Sequence, residues 1–238
     1  DGSDNMKIAY KSKFGPTGKP KILGFMHVAT MNHWEDIVDE LMYHINKNGL
    51  LKATSSLSQV LVGPEHKMAR PEYKSLNKKR KRIKRFSAGF DLHQYEYPTL
   101  NRLWETCMAT DNEMYVYYCH TKGASYKQNL KSDIWRRGMA EAILEKSWRE
   151  CVGKLDDGNN TCGIMIKNGH YSGNFWWAKA SYIRTLRKPL RSKNRMVHET
   201  WLNIRGNSSC PNGYPGGVAT LLKRWYDNNM FKLYKLAN

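Results

Sequence analysis

Ile22-Leu23-Gly24-Phe25-Met26-His27-Val28-Ala29 is an apolar run of strand length, and the next forty residues turn it into the start of a recognisable fold. Asn32 offers a helix N-cap with Glu35 three residues on, the capping-box spacing. Trp34, Ile37, Val38, Leu41, Met42 and Ile45 then recur at helical spacing, and Gly49 stands where a helix closes. Leu57–Val62 is a second apolar run, ended by Gly63-Pro64. Strand, helix and strand in that order predict a parallel pair joined by a right-handed crossover.

The alternation continues downstream. A strand is expected near Ile83–Phe90, and Pro98-Thr99 open a helix with Leu100, Leu103, Trp104, Cys107 and Met108 on one face. Met114–Cys119 reads as a strand, Ser132–Cys151 as one long helix and Thr161–Ile166 as a further strand. A helix or turn is expected at Ala180–Leu186, a helix near Gly217–Tyr226, and a basic-aromatic segment at Met230–Leu236. The pattern predicts an α/β domain over residues 6–238, with a central, mainly parallel or mixed sheet flanked by helices. Asp1–Asn5, before Met6, read as a remnant or linker outside that domain.

A chain of 238 residues can bury roughly 70–75% of its unfolded surface and needs no staple to fold. Its five cysteines (107, 119, 151, 162 and 210) are odd in number and lack a CxxC pair. That usage points to reduced thiols and a cytoplasmic setting. No run has the length of a membrane span or a signal peptide, so the sequons at Asn159 and Asn207 carry little weight. Net charge is +18, and Lys67–Arg85 holds ten Lys/Arg against Glu72 alone. Such a segment either attracts anions or serves as a solvated, charged loop.

Ligands of parallel α/β sheets bind beyond the carboxyl ends of the strands. Three expected strand ends carry polar residues there: His27-Val28-Ala29-Thr30, His120-Thr121-Lys122-Gly123 and Gly169-His170. The last leads into Tyr171-Ser172-Gly173-Asn174-Phe175-Trp176-Trp177-Ala178, a composition suited to a pocket with aromatic walls and convergent polar groups. Neighbouring side chains of an extended segment alternate, so Trp176 and Trp177 cannot both face one pocket. Lys122 beside Gly123 suits contact with a phosphate, since glycine permits close backbone approach; a surface lysine after a strand is the plainer alternative.

With these residues in hand, the chain resembles the GT-A-type glycosyltransferases, nucleotide-sugar enzymes with a Rossmann-like sheet. More narrowly, it is similar to the glycosyltransferases of large algal viruses (chloroviruses) and their bacterial relatives. The likeness rests on Tyr118-Cys119-His120-Thr121-Lys122-Gly123, Trp135-Arg136, the stretch from His170 to Ile183, and Arg195 with Glu199 and Trp201. It implies transfer of a sugar from a nucleotide-diphosphate donor, a UDP-sugar, to a glycan or glycoprotein acceptor. It also implies a divalent cation, Mn²⁺ or Mg²⁺, and a cytoplasmic enzyme (of the host cell if the chain is viral). The Asp-x-Asp motif that holds this cation in many GT-A enzymes is replaced here by His120-Thr121-Lys122, so either the metal is held by an unusual set of ligands or Lys122 partly replaces it.

The resemblance implies a role for each site residue. His27, Ala29 and Thr30 would line the nucleoside pocket, and Glu96 would contact base or ribose. His120 and His170 are the candidate metal ligands, with phosphate contact or strand capping as the alternative for His120. Thr121 belongs with them in the donor site, and Ser172, Gly173, Asn174 and Trp176 would meet donor sugar or diphosphate. Glu199 is the candidate base for an inverting reaction, or else a helix-surface partner of Arg195 four residues earlier. Asp156-Asp157, before Gly158, read most simply as a turn. The competing classes are a basic nucleic-acid-binding module and a carbohydrate-binding module without catalysis. Nucleic acid is not the expected partner, because no RNP or zinc-finger pattern accompanies the charge.

Overall fold

A computed structural model describes residues 18, 20–65, 82–127, 129–164, 166–167, 170–202 and 218–221. Along the chain, β1 (Lys21–Ala29), α1 (Trp34–Lys47), the single turn α2 (Leu50–Ala53) and β2 (Thr54–Val62) come first. β3 (Ile83–Ser87), α3 (Tyr97–Met108) and β4 (Met114–His120) succeed them. Next are α4 (Leu130–Ala140), a π-helical turn (Glu141–Lys146), α5 (Trp148–Asp156), β5 (Thr161–Ile164), and the small pair β6 (Ile166–Lys167) and β7 (His170–Tyr171). β8 (Trp176–Lys179), α6 (Ala180–Thr185), α7 (Arg195–Glu199) and β9 (Val218–Leu221) follow, and short 3₁₀ turns lie at Leu92–Gln94 and Ser172–Asn174.

The main sheet has seven strands in the order β3-β2-β1-β4-β8-β5-β9. It is parallel except at β8, which runs against both β4 and β5. The α/β class read from the sequence, a mainly parallel sheet flanked by helices, is the class observed. β1 is the hinge of the topology. The chain moves outward from it to β2 and β3, then crosses back to β4 on the other side. Such a reversal leaves a crevice at the strands' carboxyl ends.

Alternation along the strands builds a core on each face of the sheet. Tyr115, Tyr117, Cys119 and Trp177 face the layer of α1, α2, α4 and α5. Val116, Tyr118, Trp176 and Ala178 face the layer of α3 and α6. The strand register sets Tyr117 opposite Trp177 and Tyr118 opposite Trp176, with ring centroids 5.1 Å apart in each pair. Cross-strand aromatic pairs of this kind each contribute about 0.5–1.5 kcal/mol beyond the area they bury. The Trp-Trp dipeptide is therefore a through-sheet rivet. Trp176, expected at the donor, is 1% exposed and belongs to the core.

Several local expectations need correction. Asn32 does not cap α1: it has φ 49° and donates across the fold to the Ala124 carbonyl at 2.7 Å, leaving His33 at the cap position. The long helix is broken by the π turn. Ala142, Ile143, Leu144 and Glu145 are buried in succession, which a regular amphipathic helix does not allow. The π turn brings the Glu145 carboxylate to His44 Nδ1 at 2.7 Å and Lys47 Nζ at 2.9 Å. β3 ends at Ser87, Met108 is exposed, and Val218–Leu221 form a strand inside the stretch read as a helix.

The thiols are not all reduced. Cys151 within α5 and Cys162 in β5 form a disulfide, their Cα atoms 5.5 Å apart. Sequence spacing did not reveal it, because the helix–strand turn, and no CxxC motif, brings the two together. Cys107 and Cys119 are free and buried. The reading of residues 67–81, Met230–Leu236, Asn207 and Asp1–Asn5 lies outside the described residues. Among the described residues, no helix is long and apolar enough to cross a membrane.

Candidate active site

The carboxyl ends of β1 and β4 open into a cleft of about 420 Å³. His27 and Ala29 reach it from β1, and His120, Thr121, Lys122 and Gly123 from β4 and its loop. Tyr95 and Glu96 enter ahead of α3, and Arg195 from the first turn of α7. Hydrogen bonds tie the two strand ends together. The Thr121 amide donates to the His27 carbonyl at 3.0 Å, and the Ala29 amide donates to Thr121 Oγ1 at 2.9 Å.

Glu96 is the best-anchored acid of the site and is 4% exposed. The Tyr118 hydroxyl donates to its Oε2 at 2.8 Å, and Asn174 Nδ2 donates to the same oxygen. Asn174 is in turn held by the Trp176 indole, whose Nε1 donates to Oδ1 at 2.9 Å. Asn174 and Trp176 therefore act from below the cleft by fixing Glu96. Thr30 is likewise buried; its hydroxyl donates to the Val62 carbonyl and accepts from the Glu65 amide, both at 3.1 Å.

His120 carries the other half of this arrangement. Its Nε2 lies 2.8 Å from the Gly173 carbonyl, which can only accept, so the ring proton sits on Nε2. Nδ1 then presents a lone pair toward Glu96 Oε1, 3.6 Å away. Neither acceptor can satisfy the other, so the pair can take a donor that approaches both from the cleft, such as a ligand hydroxyl. Gly173 has φ 71°, and a Cβ there would collide with the Met139 sulfur, so only glycine delivers this carbonyl.

Burial holds both cleft histidines neutral. It depresses His27 to about 4, against the opposing pull of Glu96, and His120 to about 3, with Lys122 adding repulsion. An unfolded chain binds these protons near pH 6.5, whereas the folded one does not. Lowering the pH through that value therefore favours unfolding. Stability should fall between pH 6.5 and 5 by up to about 1.4 kcal/mol per pH unit for each histidine. Urea unfolding at about pH 7, 6 and 5 checks this, with His27→Gln expected to flatten the slope; a flat wild-type profile would refute neutral burial.

Lys122 is positioned by its backbone. Arg136, 2% exposed, donates from Nη1 to the Lys122 carbonyl at 2.8 Å and to Asp133 at 2.7 Å, while its Nε donates to Glu40 at 2.9 Å. A Cβ on Gly123, which has φ 93°, would approach Arg136 Nη1 to 3.1 Å. Among the described residues, no carboxylate lies within ion-pair distance of the Lys122 ammonium. Burial and then Arg195 hold its pKa below the usual lysine value, against the weaker opposing pull of Glu199 and Glu96.

Glu199 stands behind Arg195. Arg195 Nη2 is 2.5 Å from one carboxylate oxygen and His170 Nε2 is 3.6 Å from the other, so the helix-surface pairing weighed in the sequence is present. The Nδ1 of His170 is buried without a hydrogen-bond partner among the described residues. The side chain of Ser172 lies outside the described part. Asp156 accepts from the Tyr115 hydroxyl at 2.6 Å where α5 ends, and Gly158 comes two residues later at φ 100°, the turn expected there.

Arg195 and Tyr95 line the cleft but were given no binding role by the sequence. Arg195 entered only through the element that it forms with Glu199 and Trp201 and as the partner of Glu199, although the same spacing carries a cation to the cleft. Tyr95, which lines the cleft, has φ 46° and ψ −129°, a strained conformation that leaves no mark in the sequence.

The two histidines that the resemblance names as metal ligands do not face one point of the cleft: His120 keeps Nδ1 free toward Glu96, whereas His170 turns Nε2 toward Glu199. Lys122 and Arg195 bring two positive charges to the same cleft, which opposes a third. Among the described residues, no three His, Cys, Asp or Glu side chains converge as a metal site.

This is an α/β protein whose cleft lies at the point where strand order reverses. The chain belongs to the family described as a domain of unknown function (DUF8361), whose model matches residues 25–220. No curated protein matches it. Among solved structures, the crystal structure of 4-diphosphocytidyl-2C-methyl-D-erythritol synthase is similar at 9% identity and a TM-score of 0.45. The match covers 91% of this chain and 99% of that one.

Proposed function

We propose that the chain is a glycosyltransferase that takes a sugar from a nucleotide diphosphate, a UDP-sugar, to a glycan or glycoprotein hydroxyl. The observation that carries this reading is the cleft at the β1/β4 switch point. It sets the cations Lys122 and Arg195 beside the facing acceptors Glu96 Oε1 and His120 Nδ1. The cations suit a diphosphate, and the paired acceptors suit a ribose or sugar hydroxyl.

In the reaction, the acceptor oxygen bonds to the anomeric carbon while the bond from that carbon to the diphosphate oxygen breaks. The nucleotide diphosphate leaves with the electron pair, and Lys122 stabilises its developing charge. For a reaction that inverts configuration, Glu199 is the base that takes the acceptor's proton once Arg195 turns from it to the diphosphate, with His170 facing its second oxygen. The resemblance over Tyr118–Gly123 and His170–Ile183 supports the same chemistry.

A thermal-shift panel with UDP, GDP, CMP and a short oligonucleotide tests the reading. UDP at about a hundred times its Kd should stabilise the fold by roughly 2.7 kcal/mol. No shift with any nucleotide, together with a salt-sensitive shift from the oligonucleotide, would replace it by the nucleic-acid-binding alternative.

A further inference from the structure

We propose that Lys122 and Arg195 form a two-cation clamp that binds the diphosphate without a divalent metal, the guanidinium being a binding residue in its own right. The proposal rests on the nucleotide-diphosphate reading and adds to it independence from a divalent metal.

Both side chains line the cleft, one from the loop after β4 and the other from α7. Glu96 and Glu199 are the acidic groups nearby, and both are already engaged: Glu96 accepts from Tyr118 and Asn174, and Glu199 pairs with Arg195. Neither lies within ion-pair distance of Lys122 Nζ. The two cations are close enough for Arg195 to depress the lysine's pKa. Arg195 already shares its charge with Glu199, so the uncompensated charge at this end of the cleft is the half-buried Lys122 ammonium, and an anion that bridges the two side chains relieves it. A diphosphate carries enough charge and oxygens to meet both, and guanidinium engages phosphate bidentately. The charge that a bound metal would supply to the leaving group is then supplied by the chain itself.

The test is calorimetric titration of the intact chain with inorganic pyrophosphate and with UDP, each in EDTA and in Mn²⁺. Wild type is compared with Lys122→Met, Arg195→Gln, Arg195→Lys and the control Arg191→Gln, circular dichroism verifying the fold of each. Both ligands should bind in EDTA. Lys122→Met and Arg195→Gln should each weaken binding at least about tenfold, with Arg195→Lys intermediate and Arg191→Gln unchanged. Binding that requires Mn²⁺, or a folded Arg195→Gln that binds like wild type, overturns the clamp.

The two readings fail separately. UDP that binds in EDTA but ignores both substitutions removes the clamp and leaves the nucleotide site. Pyrophosphate that depends on both cations, with UDP binding no more tightly, keeps the clamp and removes the nucleotide reading.

Discussion

Glu199→Gln should cut the rate of sugar transfer by about 10²–10⁴-fold while tightening nucleotide binding. The two effects have one cause. In the free protein the carboxylate holds Arg195 at 2.5 Å and faces His170 at 3.6 Å. A diphosphate drawing on Arg195 competes with Glu199 for the guanidinium. Glutamine competes more weakly, so UDP binds more tightly, but an amide cannot take the acceptor's proton. Single-turnover transfer and UDP titration on the same variant separate the two. A variant that keeps its rate would remove Glu199 as base. A variant that loses rate and affinity together would mark the residue as scaffold only.

Arg136→Met should destabilise the fold by about 3 kcal/mol and disable the Lys122 loop as well. The substitution keeps much of the buried stem but leaves Glu40 with Arg137 alone and Asp133 without its partner at 2.7 Å. It also strips the donor from the Lys122 carbonyl. Urea unfolding measures the first effect, and UDP affinity of the folded protein at low temperature measures the second. Arg136→Lys should recover part of the stability and little of the loop geometry, because an ammonium cannot reproduce the guanidinium fork. A loss under about 1 kcal/mol with normal UDP affinity would show that the loop holds itself.

Much of this fold was legible because β1, α1 and β2 carry clean local periodicity. Gly49 closes the first helix with φ 82°, as its position implied. What escaped depends on contacts between distant segments. Asn32 looks like a cap until Ala124 claims its amide. The π turn buries Glu145 against His44 and Lys47, which lie far away in sequence. The disulfide arises only once α5 meets β5.

The site divides along the same line. His27, Ala29, Glu96, His120, Thr121 and Lys122 line the cleft, and strand-end logic pointed to the β1 and β4 ends. The aromatic motif has a pocket's composition, yet Asn174 and Trp176 point into the protein. There the turn at Gly173 and the alternation of β8 decide direction, and neither is visible in composition. Arg195 was hidden by its pairing with Glu199, and Tyr95 by the absence of any sequence signature for strain.

The most direct measurement is a crystal structure of the chain with UDP, grown without divalent metal. The diphosphate should lie within hydrogen-bond reach of Lys122 Nζ and the Arg195 guanidinium, with a ribose hydroxyl donating into the gap between Glu96 Oε1 and His120 Nδ1. UDP bound elsewhere on the chain, with that cleft unchanged, would contradict the account.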